Sequence, residues 1–216
     1  MVQNYIRRLF WLILGVAVSS VGIAMMLQAS VGLEPWSVLQ QGMSLRTGMT
    51  YGTASAIAGA AAILTAVLFG ESFGLGTIIN IAGCAVIIDA IQAAHLIPQM
   101  HGLVSGIAML IGGLELLALG TWLYMKSALG SGPRDALMVA LARKFGRSAG
   151  ACRAVVDVLV TVIGFFLGGP VGVGTIISAV GLGPLINLNF AAVRFKPAEV
   201  HQENVAETIA RIAGKR

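Results

Sequence analysis

The sequence predicts an all-α membrane protein, with about six transmembrane helices forming two inverted three-helix repeats, each carrying a short re-entrant or interfacial helix. Three observations predict it. Long stretches of the chain hold no charge, and two short segments that open on proline lie between them. The chain also matches itself without a gap when displaced by 98 residues, a shift that carries Gly22 onto Gly120 and Pro35 onto Pro133.

Composition sets the class. Hydrophobic residues make up 57% of the chain and charged residues 11%, with a mean hydropathy of +0.88. A soluble domain carries about 25% charged residues, so this chain has too little charge to cover a soluble surface. Its 28 glycines suit helices that approach closely where lipid supplies no hydrophobic drive between them. The net charge of +5 lies in loops and tails, where it reports orientation and contact with anionic membrane lipids. No basic and aromatic run suggests nucleic acid. Cys84 and Cys152 fall in apolar runs without metal-ligand spacing and read as small packing residues.

A spanning helix needs about 20 mostly apolar residues. The first half, residues 1–100, offers spans at about 8–29, 49–70 and 75–96, with Asp89 and His95 the ionisable residues of the third. Arg7 and Arg8 precede the first span as in a signal peptide, but the apolar run is longer than an h-region and has a mid-chain counterpart, so it reads as a retained span. The second half, residues 101–195, offers spans at about 102–126, 148–167 and 173–194, the last two parted at Gly168-Gly169-Pro170. The short segments, 35–46 and 133–147, each begin with proline soon after a glycine, as a helix start does, and are too short to span. The tail, 196–216, spaces Glu199, Glu203, Glu207 and Arg211 one helical step apart and predicts a solvated cytoplasmic helix.

The strongest part of the self-match is Gly74-Leu75-Gly76-Thr77-Ile78-Ile79 on Gly172-Val173-Gly174-Thr175-Ile176-Ile177. Three spans per half invert the second half relative to the first. The loop charges agree: residues 126–147 hold Lys126, Arg134, Arg143, Lys144 and Arg147, whereas the equivalent first-half stretch has Arg46 alone. The positive-inside rule then places both termini on the cytoplasmic side of an inner membrane. Inverted repeats with short interrupted helices are the architecture of secondary transporters, whose sites lie between the repeats, an analogy at the level of fold.

The segment Leu129-Gly130-Ser131-Gly132-Pro133-Arg134-Asp135-Ala136-Leu137-Met138, with Gly169-Pro170-Val171-Gly172-Val173-Gly174-Thr175 and Gly183-Pro184, resembles the YczE/YitT-type family of bacterial membrane proteins. Gly32-Leu33-Glu34-Pro35-Trp36-Ser37 resembles that family's other signature, with Ser37 standing where aspartate is usual. The resemblance covers all but the tail. It implies a multi-span bacterial membrane protein and brings with it no substrate or catalytic residue.

Ionisable side chains inside spans are costly and mark candidate sites. The substrate-binding candidates are Glu34, Pro35 and Trp36 at the first short helix; Pro133, Arg134 and Asp135 at the second; and Glu115, Arg153 and Asp157 within spans. Asp135 and Arg134 read either as a helix cap with a cytoplasmic charge or as a substrate contact. Trp36 reads as an interfacial anchor or a ligand contact. Arg153 and Asp157, four residues apart, form a pair on one helix face. Glu115, alone near its helix centre, is the candidate for proton or cation coupling. The glycine turns at 70–77 and 168–175 offer amides to an anion or serve tight packing. Gly102 and Gly106 suit internal packing or a homodimer. His95 and His101 lack a third ligand, so no metal is expected, and with no catalytic motif present neither a cofactor nor an enzyme activity is expected. The functional expectation is a small secondary transporter or permease of an unidentified small-molecule substrate. The alternative is an accessory or regulatory membrane protein acting through its basic cytoplasmic face.

Overall fold

A computed structural model describes residues 2–196 and 200–212. Among them the regular structure is entirely helical: α1 (Val2–Gln28), α2 (Pro35–Thr47), α3 (Tyr51–Leu68), α4 (Leu75–Ala93), α5 (Leu103–Lys126), α6 (Pro133–Phe145), α7 (Ala149–Phe166), α8 (Val173–Ala192) and α9 (Val205–Ile212). By length and composition α1, α3, α4, α5 and α8 can each cross a membrane. The bent pair Pro133–Phe145 and Gly150–Phe166, with 118° between its arms, makes a sixth when its two arms are taken as one span. The chain is therefore an all-α, multi-pass membrane protein.

Local chemistry starts and stops these helices. Glu34 caps α2, its carboxylate accepting from the Trp36 and Ser37 N–H groups, and Pro35 occupies the first turn, where no N–H is missed. Thr50 and Ser148 cap α3 and α7 by accepting from the N–H groups of Thr53 and Ala151. Gly48 and Gly146 end α2 and α6 in the left-handed conformation.

Helices α1 and α5 run antiparallel along the centre and meet through glycines. A Cβ on Gly22 would stand 2.5 Å from the Gly113 carbonyl oxygen, and one on Gly120 2.7 Å from that of Gly15. The 98-residue displacement takes Gly22 to Gly120 and Gly15 to Gly113, so it exchanges these two contacts. Other packings are matched the same way: α1 on α4 with α5 on α8, α2 on α7 with α6 on α3, and α2 on α3 with α6 on α7. Besides a slight touch of α2 on α8, one extensive packing lacks its counterpart. α3 lies along α4, but α7 does not lie along α8.

The repeated glycine motif is explained by these contacts. The Gly76 N–H donates to the Leu129 carbonyl at 2.7 Å, and the Gly174 N–H to the Val31 carbonyl at 2.7 Å. Each motif thus docks on the loop that leads into the other half's short helix. Gly130 (φ +126°) and Gly32 (φ +103°) face the backbones of Gly74 and Gly172 there, so both the conformation and the close approach require glycine. Those two amides are spent on carbonyls, which favours the packing role of the glycine turns. Gly106 likewise packs inside the fold, against the Ala29 carbonyl.

The end of the bundle carrying Arg8 is called the near end, and that carrying Gln28 the far end. The tail departs from the expected solvated helix. Glu203 is 5% exposed, its carboxylate 2.6 Å from Arg8 Nη1, while Arg8 also donates to the Ser127 and Ala128 carbonyls that end α5. The Glu203 N–H donates to Ala128 and the Val205 N–H to Phe73. The tail docks because it satisfies exposed helix-end groups that no helix supplies. Glu199 lies outside the described residues; Glu207 and Arg211 belong to α9.

Candidate functional site

The N-terminal ends of the two short helices meet through their side chains. Glu34 heads α2 and Arg134 lies in the first turn of α6, and their side chains pair at 2.7 Å across the halves. Glu34 is 2% exposed and fully engaged, accepting from Trp36 N–H, Ser37 N–H, Ser37 Oγ and Arg134. The Arg134 guanidinium lies 5.3 Å from the Trp36 ring centroid, within cation–π range. Trp36 and Arg134 occupy equivalent places in the two halves, so the contact sits where the halves exchange.

Trp36 is no interfacial anchor: it is 7% exposed and its indole N–H donates to Asp157 Oδ1 at 3.2 Å. Asp157, midway along α7, is also the ion-pair partner of Arg153 at 3.6 Å, as the four-residue spacing predicted. Pro35 and Pro133 open the two short helices. Asp135, in the first turn of α6, accepts from the Tyr124 hydroxyl at 2.6 Å. Behind α2, the Tyr51 hydroxyl donates to Gln40 Oε1 at 2.6 Å and sits 2.8 Å from Ser37 Oγ.

Trp36, Pro133, Arg134, Asp135, Arg153 and Asp157 border a cavity of about 120 Å³, with Glu34 and Tyr51 behind its lining. All eight helices of the bundle contribute, among them Gln40, Asn80, Cys84, Tyr124, Asp135 and Asp157. Glu115 is not brought there. It accepts from Asn189 Nδ2 at 2.9 Å, between α5 and α8. No group of three or more metal-binding side chains occurs among the described residues.

Sequence reasoning missed Tyr124, Gln40, Asn80 and Cys84. Their signal was present but faint: Tyr124, Asn80 and Cys84 are isolated polar or sulfur-bearing residues in spans and Gln40 lies in the short helix α2, and only packing decides whether each faces the interior. Asp89 caps rather than binds, accepting from the Gly52 N–H at 2.7 Å and so tying the start of α3 to the far end of α4.

Residues 6–190 match the model of a family of unknown function, DUF6198. The chain belongs to that family. Relatives include an uncharacterized protein of Haemophilus influenzae, 32% identical over 81% of this chain and 79% of the relative. The uncharacterized membrane protein YczE of Bacillus subtilis is 25% identical over 90% of this chain and 94% of its own. A second B. subtilis protein, YyaS, is 26% identical over 81% and 88%. The YczE-type resemblance is thereby borne out. No solved structure gives a significant match.

Proposed function

We propose that this family member is a secondary transporter of a small solute in the bacterial inner membrane, with its site between the two halves. The observation that carries the reading is the cavity into which two short helices from opposite halves deliver charged and aromatic side chains. Ionisable groups inside a membrane bundle are expensive unless they serve a pathway or a ligand.

Access is explained by the unmatched packing. At the far end α3 is closed on α4 through Gly52, Ala85 and Asp89. The equivalent near-end residues are Gly150, Gly183 and Asn187, and a Cβ on Gly150 or Gly183 would meet nothing within 4 Å. α8 carries Pro184 inside the helix beside Gly181 and Gly183, a place where it can bend. In this reading the cavity is entered from the near end between α7 and α8. The opposite state closes that gap and releases the Gly52–Asp89 contact.

The near end gathers Arg7, Arg8, Lys126, Arg143, Lys144, Arg147, Arg194 and Lys196, which supports a cytoplasmic near end with both termini inside. Lys126 Nζ lies 4.2 and 5.0 Å from the ring centroids of Trp11 and Trp122, as an interfacial aromatic belt would hold it.

The test is uptake into proteoliposomes across a panel of small cations, zwitterions, anions and neutral solutes. A solute taken up by the native protein but not by Arg134→Gln, with Glu115→Gln unaffected, is the expected outcome. Full uptake by the Arg134 variant removes the site assignment. No uptake of any solute by protein shown to be folded returns weight to an accessory role.

A further inference from the structure

We infer that the cavity takes a monovalent positive group at Asp135, either a sodium ion or the ammonium of a small organic solute; the inference rests on the transport reading for its purpose but not for its chemistry. The charges around the cavity do not balance. Arg134 faces Glu34 at 2.7 Å, and Arg153 faces Asp157 at 3.6 Å. Each arginine is therefore met by a carboxylate. Asp135 is left with one neutral hydrogen-bond donor among the described residues, the Tyr124 hydroxyl on Oδ2.

An anion entering here finds both guanidinium groups already paired and three carboxylates nearby. A cation meets a carboxylate with its other oxygen uncommitted. In a low-dielectric interior an unmatched charge is costly, and a counter-charge removes that cost. Asp135 stands in the first turn of α6, a favourable place for a carboxylate, and the Tyr124 bond fixes its direction.

The cavity gives the space beside the pair. Gly132 packs against the pair: a Cβ there would stand 2.9 Å from the Tyr124 hydroxyl and 3.1 Å from Asp135 Oδ2, so only glycine lets the two approach in this way. The equivalent residue of the first half is Glu34, so the second half sets a hydroxyl and a carboxylate together where the first half carries a side chain of its own. The cavity of about 120 Å³ far exceeds the ~10–15 Å³ needed for one water and admits a few non-hydrogen atoms. Hydroxyl and amide oxygens from Tyr124, Thr121 and Asn80 on the lining supply further acceptors for a cation or an ammonium.

The experiment is thermal unfolding of the purified full chain in detergent at constant ionic strength, titrated with sodium, potassium, methylammonium or choline chloride. A saturable stabilisation by sodium or methylammonium that choline does not give is expected. Asp135→Asn, which keeps the Tyr124 hydrogen bond, should raise the half-saturating concentration roughly tenfold or more, the value of one charge-assisted contact. Tyr124→Phe keeps the charge and should weaken the response less. Sodium alone acting identifies an inorganic ion; methylammonium alone identifies a solute ammonium. Equal responses in the native and Asp135→Asn proteins, or none in the native protein, overturn the inference. Binding without uptake of any solute would leave it standing while removing the transport reading, and uptake of neutral or anionic solutes without cation binding would do the reverse.

Discussion

Gly52 and Gly150 occupy equivalent places, the second residue of α3 and of α7, and alanine at each should act in opposite directions. A Cβ on Gly52 would collide with the Ala85 carbonyl oxygen and stand 2.6 Å from the Asp89 carboxyl carbon. A backbone oxygen cannot rotate away, so α3 must shift, at about 1–3 kcal/mol for overpacking. The shift also strains the 2.7 Å bond from the Gly52 N–H to Asp89. On Gly150 the same methyl meets nothing within 4 Å, and replacing a helical glycine returns up to about 1 kcal/mol. The two variants should differ by roughly 1–4 kcal/mol. At this chain length that separates their melting temperatures by roughly 2–4 °C per kcal/mol. Uptake should then invert the ranking for Gly150→Ala: the variant is at least as stable as the native protein yet fails to transport, because closing α7 on α8 needs Gly150 bare as closing α3 on α4 needs Gly52 bare. Equal melting shifts for the two variants would refute the packing argument. Undiminished uptake by Gly150→Ala would refute the gate.

Further predictions follow from the same contacts. Glu34→Gln leaves the Arg134 charge without its partner and should cost about 3–5 kcal/mol in unfolding free energy. Adding Arg134→Gln should recover most of that loss in a double-mutant cycle. With Cys152→Ala leaving Cys84 as the single thiol, a membrane-impermeant maleimide should label Cys84 from the near-end face in vesicles and not from the far-end face; the reverse pattern would overturn the proposed access route. Arg8→Ala removes the Glu203 ion pair and two caps on α5, so limited proteolysis should cut between residues 196 and 205 faster than in the native protein.

The spans and short helices were legible in the sequence because both rest on local quantities. Apolar length makes Leu103–Lys126 a span despite Glu115, and a proline soon after a glycine starts α2 and α6 whatever surrounds them. The self-match at 98 residues was legible because positions such as Gly32 and Gly130 accept no other residue in their left-handed, closely packed turns. The Arg153–Asp157 pair was legible because four residues are one helical turn.

What the tertiary structure decided were the relations between distant residues. In the sequence Glu115 stands alone and Asp135 adjoins Arg134, yet Asn189 meets the first between α5 and α8, and it is Tyr124 that holds the second beside the cavity. Trp36 became interior only because α7 brings Asp157 to its indole N–H. The tail became part of the fold because Arg8, nearly two hundred residues away, lies opposite Glu203 and because the loops after α3 and α5 offer carbonyls to its backbone. The reason is physical. In a chain this apolar, hydrophobic pattern marks what enters the membrane but does not distinguish lipid from protein on the far side of a helix, so the direction of each polar side chain is set by helix packing and hydrogen-bond satisfaction alone.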